Sequence, residues 1–430
     1  MYDLVIIGAS PEGISAAQRG IKKFPTSRIA LITQGWETLW AERELPQKFN
    51  DLCSVETEPE EILRQLAALG VDVILESGHF NKTEVELVWQ VSQRELKANA
   101  YLLTTNVKQY QATHNALIKD NLFSPPKNSS EAKTWAIWGA LPQNLILTQT
   151  LAQQGNSVQL FTRNSHLLPG EDREMSHLLQ CYLETMGIKI WPNCHRFTPH
   201  FNADHQTYQL SIVSPTESQE ITVDALWRSP KDPFRGAPLP ELLWHWEENL
   251  SGPREISIND TYLAVNDYLQ TTHPQIFACG GWLKGYTSEA IAQKSATQCA
   301  IQEAHYVVDR VLGKIRQPIN YAQIPFGIDL NPPWYRVGLN QQEATQQLKN
   351  IHVYYGYEPC QAVSPLRGLC KIITNEQDKV LGAHWFGESA KAGISLLTLA
   401  ITKALTVVDL QNLPVVESDV AQVLQDLSRR

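Results

Sequence analysis

Cysteine is sparse and badly spaced for chemistry. The chain has seven, Cys53, Cys181, Cys194, Cys279, Cys299, Cys360 and Cys370, with no C-x2-C or C-x4-C pair among them. That spacing excludes a finger-type metal site and a close-set redox pair, and it predicts reduced, mostly buried thiols. Charge is thin as well, at 19% of residues against an average near ~25%. No Lys/Arg run offers a footprint for nucleic acid or anionic lipid, and the formal net charge of −9 speaks against both as partners. Apolar runs stay short of the roughly 18 residues that span a bilayer. The chain enters an apolar stretch at Leu4 with no basic segment ahead of it, so no secretory signal is expected and the expected location is cytoplasmic.

With 430 residues, two or three domains are expected. Leu4 to Ile7 is a short apolar run, Gly8-Ala9-Ser10-Pro11-Glu12-Gly13 follows, and Ile14 to Gly20 carries small residues at helical spacing. This reads as strand, tight turn and helix, and Arg28 to Thr33 supplies a second strand to complete a βαβ unit. Val71 to Leu75, Val85 to Val91 and Tyr101 to Leu103 read as further strands, and Ser124 to Ser130 as a linker. A second unit of the same kind starts at Trp135 to Gly139, continues as a helix to Gln154, is stopped by Gly155, and ends in a strand from Ser157 to Phe161. Two such halves in tandem indicate a duplicated mononucleotide fold. Beyond Ile315 the pattern changes to a hairpin, Cys370 to Thr374 and Val380 to Phe386, followed by an apolar helix from Ser389 to about Leu405.

In a G-x-G-x-x-G turn the first glycine bends the chain, the second lets the backbone approach a pyrophosphate, and the third lets helix and strand close up. Gly8 and Gly13 hold the first and third places, and Ser10 the second. Gln34 stands near the position of the acidic ribose ligand, where an amide can still bond a hydroxyl. The second turn, Gly139 to Asn144, keeps one glycine of three, and Leu141 and Asn144 would block both close approaches. Arg163, after the following strand, suits a 2′-phosphate but reads better as an ordinary surface arginine.

The stretch Val265 to Gly281, with Thr271, Ile276-Phe277-Ala278 and Gly280, resembles the return to the flavin domain in the FAD-dependent pyridine nucleotide-disulfide oxidoreductases, the glutathione, lipoamide and mercuric reductase family. Asp224 to Pro233, Val337 to Ala344 and Thr406 to Leu410 extend the resemblance over nearly the whole chain. It implies an α/β fold: two Rossmann-like nucleotide-binding domains, the second inserted in the first, plus a C-terminal α+β dimerisation domain. The expected boundaries are 1–125 and 256–315 for the FAD-type domain, 131–255 for a degenerate NAD(P)-type domain, and 316–430 for a domain that forms a homodimer.

The implied cofactor is FAD, held by Gly8, Ser10, Pro11, Glu12, Gly13, Gln34, Thr105, Gly280 and Gly281, while NAD(P) binding is doubtful. Thr104-Thr105-Asn106 stands for the family's Ala-Thr-Gly, and Gly281 for its ribityl-binding aspartate. Trp36, Trp40 and Trp282 fall near this site. The family's Cys-x4-Cys is missing from Gly35 to Pro46, and its His-Pro-Thr-x-x-Glu reads Leu413-Pro414-Val415-Val416-Glu417-Ser418. No catalytic or metal-binding residue is therefore assigned. Two functions stay open: an FAD-binding, oxidoreductase-like homodimer without the dithiol, or a non-catalytic homodimer acting through a partner or ligand.

Overall fold

The computed structural model describes residues 1–33, 59–76, 78–82, 87–92, 94–104, 133–202, 205, 207–214, 218–228, 258–259, 262–283, 296–358, 368–414 and 419–429. The expected positions Gln34, Trp36, Trp40, Cys53, Thr105, Cys360 and Ser418, and the linker at 124–130, lie outside them. The chain divides into two compact units. One is Met1–Asn121, Pro230–Ala292 and Ala296–Ile319; the other is Leu122–Ser229, Gln293–Ser295 and Asn320–Arg430.

The chain begins with β1 (Tyr2–Ile7), α1 (Pro11–Lys23), β2 (Ile29–Ile32), α2 (Pro59–Ala68) and β3 (Asp72–Ile74), then a meander of β4 (Gly78–Lys82), β5 (Leu87–Val91) and β6 (Arg94–Leu103). In the second unit follow β7 (Thr134–Trp138), α3 (Pro142–Gln153), β8 (Ser157–Phe161), α4 (Arg173–Thr185), β9 (Lys189–Trp191), β10 (Arg196–Asn202), β11 (Thr207–Val213), β12 (Ser218–Val223) and β13 (Ala225–Arg228). The first unit then resumes with β14 (Ile258–Asn259), β15 (Tyr262–Leu263), β16 (Ile276–Ala278) and α5 (Ala296–Val311). The rest is β17 (Phe326–Ile328), β18 (Trp334–Gly338), α6 (Gln341–Gln347), β19 (His352–Tyr357), β20 (Leu369–Thr374), β21 (Val380–Phe386), α7 (Ala390–Thr402), α8 (Val407–Gln411), α9 (Asp419–Gln425) and β22 (Ser428–Arg429).

In the first unit β3, β2, β1, β6 and β16 lie side by side and parallel, and the early part of β6 turns outward to pair antiparallel with β5. Leu4, Val5 and Ile6 have no exposed surface, as befits parallel strands covered on both faces. Helix α1 begins well by composition: Ser10 is its N-cap, Pro11 fills the first turn and Glu12 adds negative charge there, while Lys22 and Lys23 suit its C-terminal end. Its buried face is built from Gly13, Ala16, Ala17, Gly20 and Ile21, small enough to bring sheet and α5 close. The α1–α5 seam is polar on its outer side. Asp309 accepts from Arg19 at 3.0 and 2.6 Å and pairs with Lys23 at 2.8 Å, and Ser15 Oγ lies 2.7 Å from His305 Nε2.

The second unit repeats the plan. β13, β7, β8 and β9 form a parallel sheet, and β10 to β12 an antiparallel one beside it. The C-terminal sheet runs β17-β18-β21-β20-β19-β22, all antiparallel, and contains the expected hairpin as β20 and β21. Helix α7 packs on β18 and β21, where Ile394 and Leu397 join the core around Trp385. Its Leu399 stays 51% exposed, and Val408 on α8 is 55% exposed. Among the described residues no helix is long and apolar enough to cross a membrane.

Candidate functional site

The strand order reverses between β1 and β6, and in open α/β sheets the crevice beyond the C-terminal ends of such strands takes dinucleotides. The Gly8–Gly13 turn sits there. Gly8 has φ +114°, a left-handed conformation that favours glycine, and its N–H bonds Ile32 O at 2.9 Å. A Cβ on Gly13 would lie 2.1 Å from Gly8 O and 2.9 Å from Thr104 Oγ1, so only glycine fits. Ser10 is buried, and its Oγ accepts from the Gly13 N–H at 3.4 Å, capping α1 from within. Pro11 and Glu12 complete the first turn of the helix, with Glu12 buried.

Thr104 closes the turn from the end of β6, its hydroxyl donating to Gly8 O at 2.8 Å and sharing with Ile7 O at 3.1 Å. Trp282 Nε1 donates to Thr104 O at 2.5 Å, which puts this tryptophan beside the turn. Gly280 has φ +67° and opens a short 3-10 turn that includes Gly281. Its N–H donates to Glu303 Oε2 at 2.8 Å, from a glutamate only 1% exposed on α5. Burial, with Glu12, Glu303 and Cys299 nearby, pushes the Cys279 thiol well up, so it stays protonated.

The structure thus brings Gly8, Ser10, Pro11, Glu12 and Gly13 to one end of the first sheet, and Gly280 to the end of the strand beside β6. Thr105 is the expected contact and lies outside the described residues, whereas its neighbour Thr104 bonds Ile7 O, Gly8 O and the Trp282 N–H. Thr104 belongs to Thr104-Thr105-Asn106, the counterpart of the family's Ala-Thr-Gly; Glu303 carries no sequence signal beyond that of a polar residue on a helix.

The second turn is built on the same backbone. Gly139 has φ +100° and bonds Phe161 O at 2.8 Å, and Pro142 again occupies the first turn of the helix. Asn144 is buried in the place that Gly13 holds in the first unit. Its Nδ2 donates to Gly139 O at 2.8 Å and Trp138 O at 3.2 Å, and its Oδ1 accepts from Trp227 Nε1 at 2.9 Å. Leu141 caps α3 with no side-chain hydrogen bond. The Arg163 guanidinium lies 5.8 Å from the Trp138 ring centre, a stacking contact of an ordinary kind.

Fold and turns together define a protein of the two-dinucleotide-fold class with a C-terminal α+β region. Residues 134–196 match the family model described as pyridine nucleotide-disulphide oxidoreductase. A glutathione reductase of Nostoc is 28% identical over 270 residues, covering 59% of this chain and 54% of the relative. A mercuric reductase of Lysinibacillus sphaericus is 23% identical, covering 84% and 65%. These alignments, with a glutathione reductase of Burkholderia cepacia matched over 32% of its length, span about a third to two thirds of the relatives. In fold, LpdA of Mycobacterium tuberculosis superposes with a TM-score of 0.69 at 15% identity over 98% of both chains. RclA of Escherichia coli, an HOCl-induced flavoprotein disulfide reductase, gives 0.67 at 20% identity over 99% of both. The chain is thus similar to the pyridine nucleotide-disulphide oxidoreductases, through the family model at residues 134–196 and in fold over nearly its whole length.

Proposed function

We propose that the protein is an FAD-binding, oxidoreductase-like homodimer that has no redox dithiol and does not reduce disulfides. The observation that carries this reading is the bare turn of the first unit: Gly8 at φ +114° and Gly13 with no room for a Cβ, at the N-terminus of α1 and the switch point of the sheet. The residues present fit a flavin dinucleotide. Gly8 to Gly13 would hold its pyrophosphate, Gln34 and Thr105 are the expected further contacts, and Gly280 and Gly281 would face the ribityl end. When bound, FAD supplies hydride or one-electron transfer; the chain's own part is to bind and orient it.

NAD(P) is not expected at the second turn, where the Asn144 amide fills the space between helix and strand. Cys194, Cys279, Cys299 and Cys370 are buried thiols, and no Cys-x4-Cys occurs in the sequence. A second copy of the chain would cover Leu399 and Val408, and an obligate interface of this kind buries roughly 2,000 Å² or more. A cytoplasmic location belongs to the same reading.

Two observations favour a second, non-catalytic reading. The Gly13 N–H is engaged by Ser10 and the Gly280 N–H by Glu303, so two donors near the crevice are already satisfied by the protein.

The visible spectrum of the purified protein separates the two. Flavin bands, with FAD released on denaturation and no NADH- or NADPH-driven turnover of lipoamide, glutathione disulfide or Hg(II), are expected. Colourless protein that takes up no FAD, even as Ser10→Gly, leaves the non-catalytic reading in place. Rapid disulfide turnover would overturn both.

A further inference from the structure

Three adjacent strands of the C-terminal sheet place one basic residue each in a single cross-strand row: Arg336 on β18 faces His384 on β21, which faces Lys371 on β20. All three are buried, at 6%, 0% and 0% exposure. The start of α4 lays acidic residues over this row. Glu171 Oε2 lies 2.7 Å from Arg336 Nη1, Asp172 Oδ2 lies 2.8 Å from Lys371 Nζ, and Glu174 also pairs with Lys371. Helix α6 closes the side: Glu343 lies 3.5 Å from Arg336, Gln341 Oε1 accepts from Lys371 at 2.7 Å, and Asp172 Oδ1 accepts from the Gln341 N–H at 3.0 Å. From β19, Tyr355 donates to Glu174 at 3.1 Å.

The row and its cover are unbalanced. Four carboxylates, Glu171, Asp172, Glu174 and Glu343, meet two permanent cations. His384 does not add a third: its Nδ1 lies 3.7 Å from Asp172 Oδ2, beyond hydrogen-bond reach, neither ring nitrogen has a hydrogen-bond partner among the described residues, and the ring stands between Arg336 and Lys371. Glu174 and Glu343 have side chains 42% exposed and face water, whereas Glu171 is 4% exposed and, among the described residues, pairs with one guanidinium. Burying an ion pair is costly unless its charge is well matched, and one proton on Glu171 relieves the excess while leaving a carbonyl oxygen for Arg336.

We propose that this row is a proton-controlled lock, in which the start of α4 docks on the C-terminal sheet more tightly when Glu171 carries a proton. Burial, acting against the neighbouring Arg336, pushes the Glu171 carboxyl up to about 7. Burial, then Arg336 and Lys371, drive His384 well below its usual range, so the proton goes to the acid. A carboxyl whose folded value is raised contributes stability that is fully present below its unfolded value and is lost as pH rises through about 7.

The test is thermal unfolding of the full chain from roughly pH 5.5 to 8.5 for the wild type, Glu171→Gln and His384→Gln. Glutamine has the shape and neutrality of the protonated acid. The expected result is a wild-type stability that falls up to about pH 7 and levels off above it, a flatter curve for Glu171→Gln that lies above wild type at the alkaline end, and an unchanged slope for His384→Gln. Parallel curves for wild type and Glu171→Gln overturn the proposal, as does a slope removed by His384→Gln. Infrared spectra of the wild type need no variant to fold: a protonated-carboxyl band that titrates near neutrality is expected, and its lack also overturns the lock.

Discussion

The two βαβ turns, Gly8-Ala9-Ser10-Pro11-Glu12-Gly13 and Gly139-Ala140-Leu141-Pro142-Gln143-Asn144, align residue for residue. In both, the first glycine takes a positive φ and its carbonyl receives a side-chain hydrogen bond at 2.8 Å. The difference is where that donor comes from. In the first unit it is Thr104, at the end of a neighbouring strand, and the helix stays bare at Gly13. In the second it is Asn144, on the helix itself. A buried carbonyl needs a partner in either case, but only the first solution leaves the glycine that a pyrophosphate turn requires. The two cannot be combined, since a Cβ at Gly13 would meet Thr104 Oγ1 at 2.9 Å.

The largest effect should come from forcing the second solution on the first turn. Gly13→Val sets a Cβ 2.1 Å from Gly8 O, and overpacking of this kind costs about 3 kcal/mol. A clear drop in melting temperature, together with loss of any bound flavin, is expected; a variant as stable as wild type would mean that the turn is looser than described.

Removing the donors tests the comparison more finely. Asn144→Ala takes a donor from Gly139 O and an acceptor from the Trp227 N–H, for about 2 kcal/mol, whereas Thr104→Val takes one donor from Gly8 O, for about 1 kcal/mol. Denaturant unfolding that ranks them the other way would undo the assignment of Asn144 as the structural plug.

The smallest effect is at the helix caps. Ser10→Ala should cost up to about 1 kcal/mol and Leu141→Ser return a similar amount to the second unit, because of the two helices α1 and α3 only α1 has a side-chain cap. Equal and negligible changes in both melting curves would show that neither cap matters.

Much of the architecture was legible because its signals are local. The runs Leu4 to Ile7 and Trp135 to Trp138 are apolar, end in a glycine and precede small-residue or apolar helices, and β20 and β21 flank a polar turn. The site was legible only where it too is local. Gly8 and Gly13 are five residues apart, but Thr104 meets Gly8 across 96 residues and Glu303 meets Gly280 across 23. Which hydroxyl or carboxylate satisfies a given backbone group is decided by the fold, and nothing in the spacing announces it. Lys371 is the sharpest case: nothing in the strand Cys370 to Thr374 marks its charge as buried, yet it has no exposed surface, because its acidic partners Asp172 and Glu174 come from about two hundred positions earlier.

The seam between α1 and α5 has a consequence for synthesis. Helix α1 needs Asp309 and His305, and the outer edge of β6 needs Ile276 to Ala278, before the first unit can close. A ribosome that adds ~5–20 residues per second takes on the order of ten seconds or more to travel from β6 to α5. During that interval β6 presents an open edge, while β7 to β13 are completed within it and are free to pair among themselves. The part of the chain that is begun first is thus finished late, and the inserted βαβ half has the opportunity to fold before the unit that encloses it in sequence.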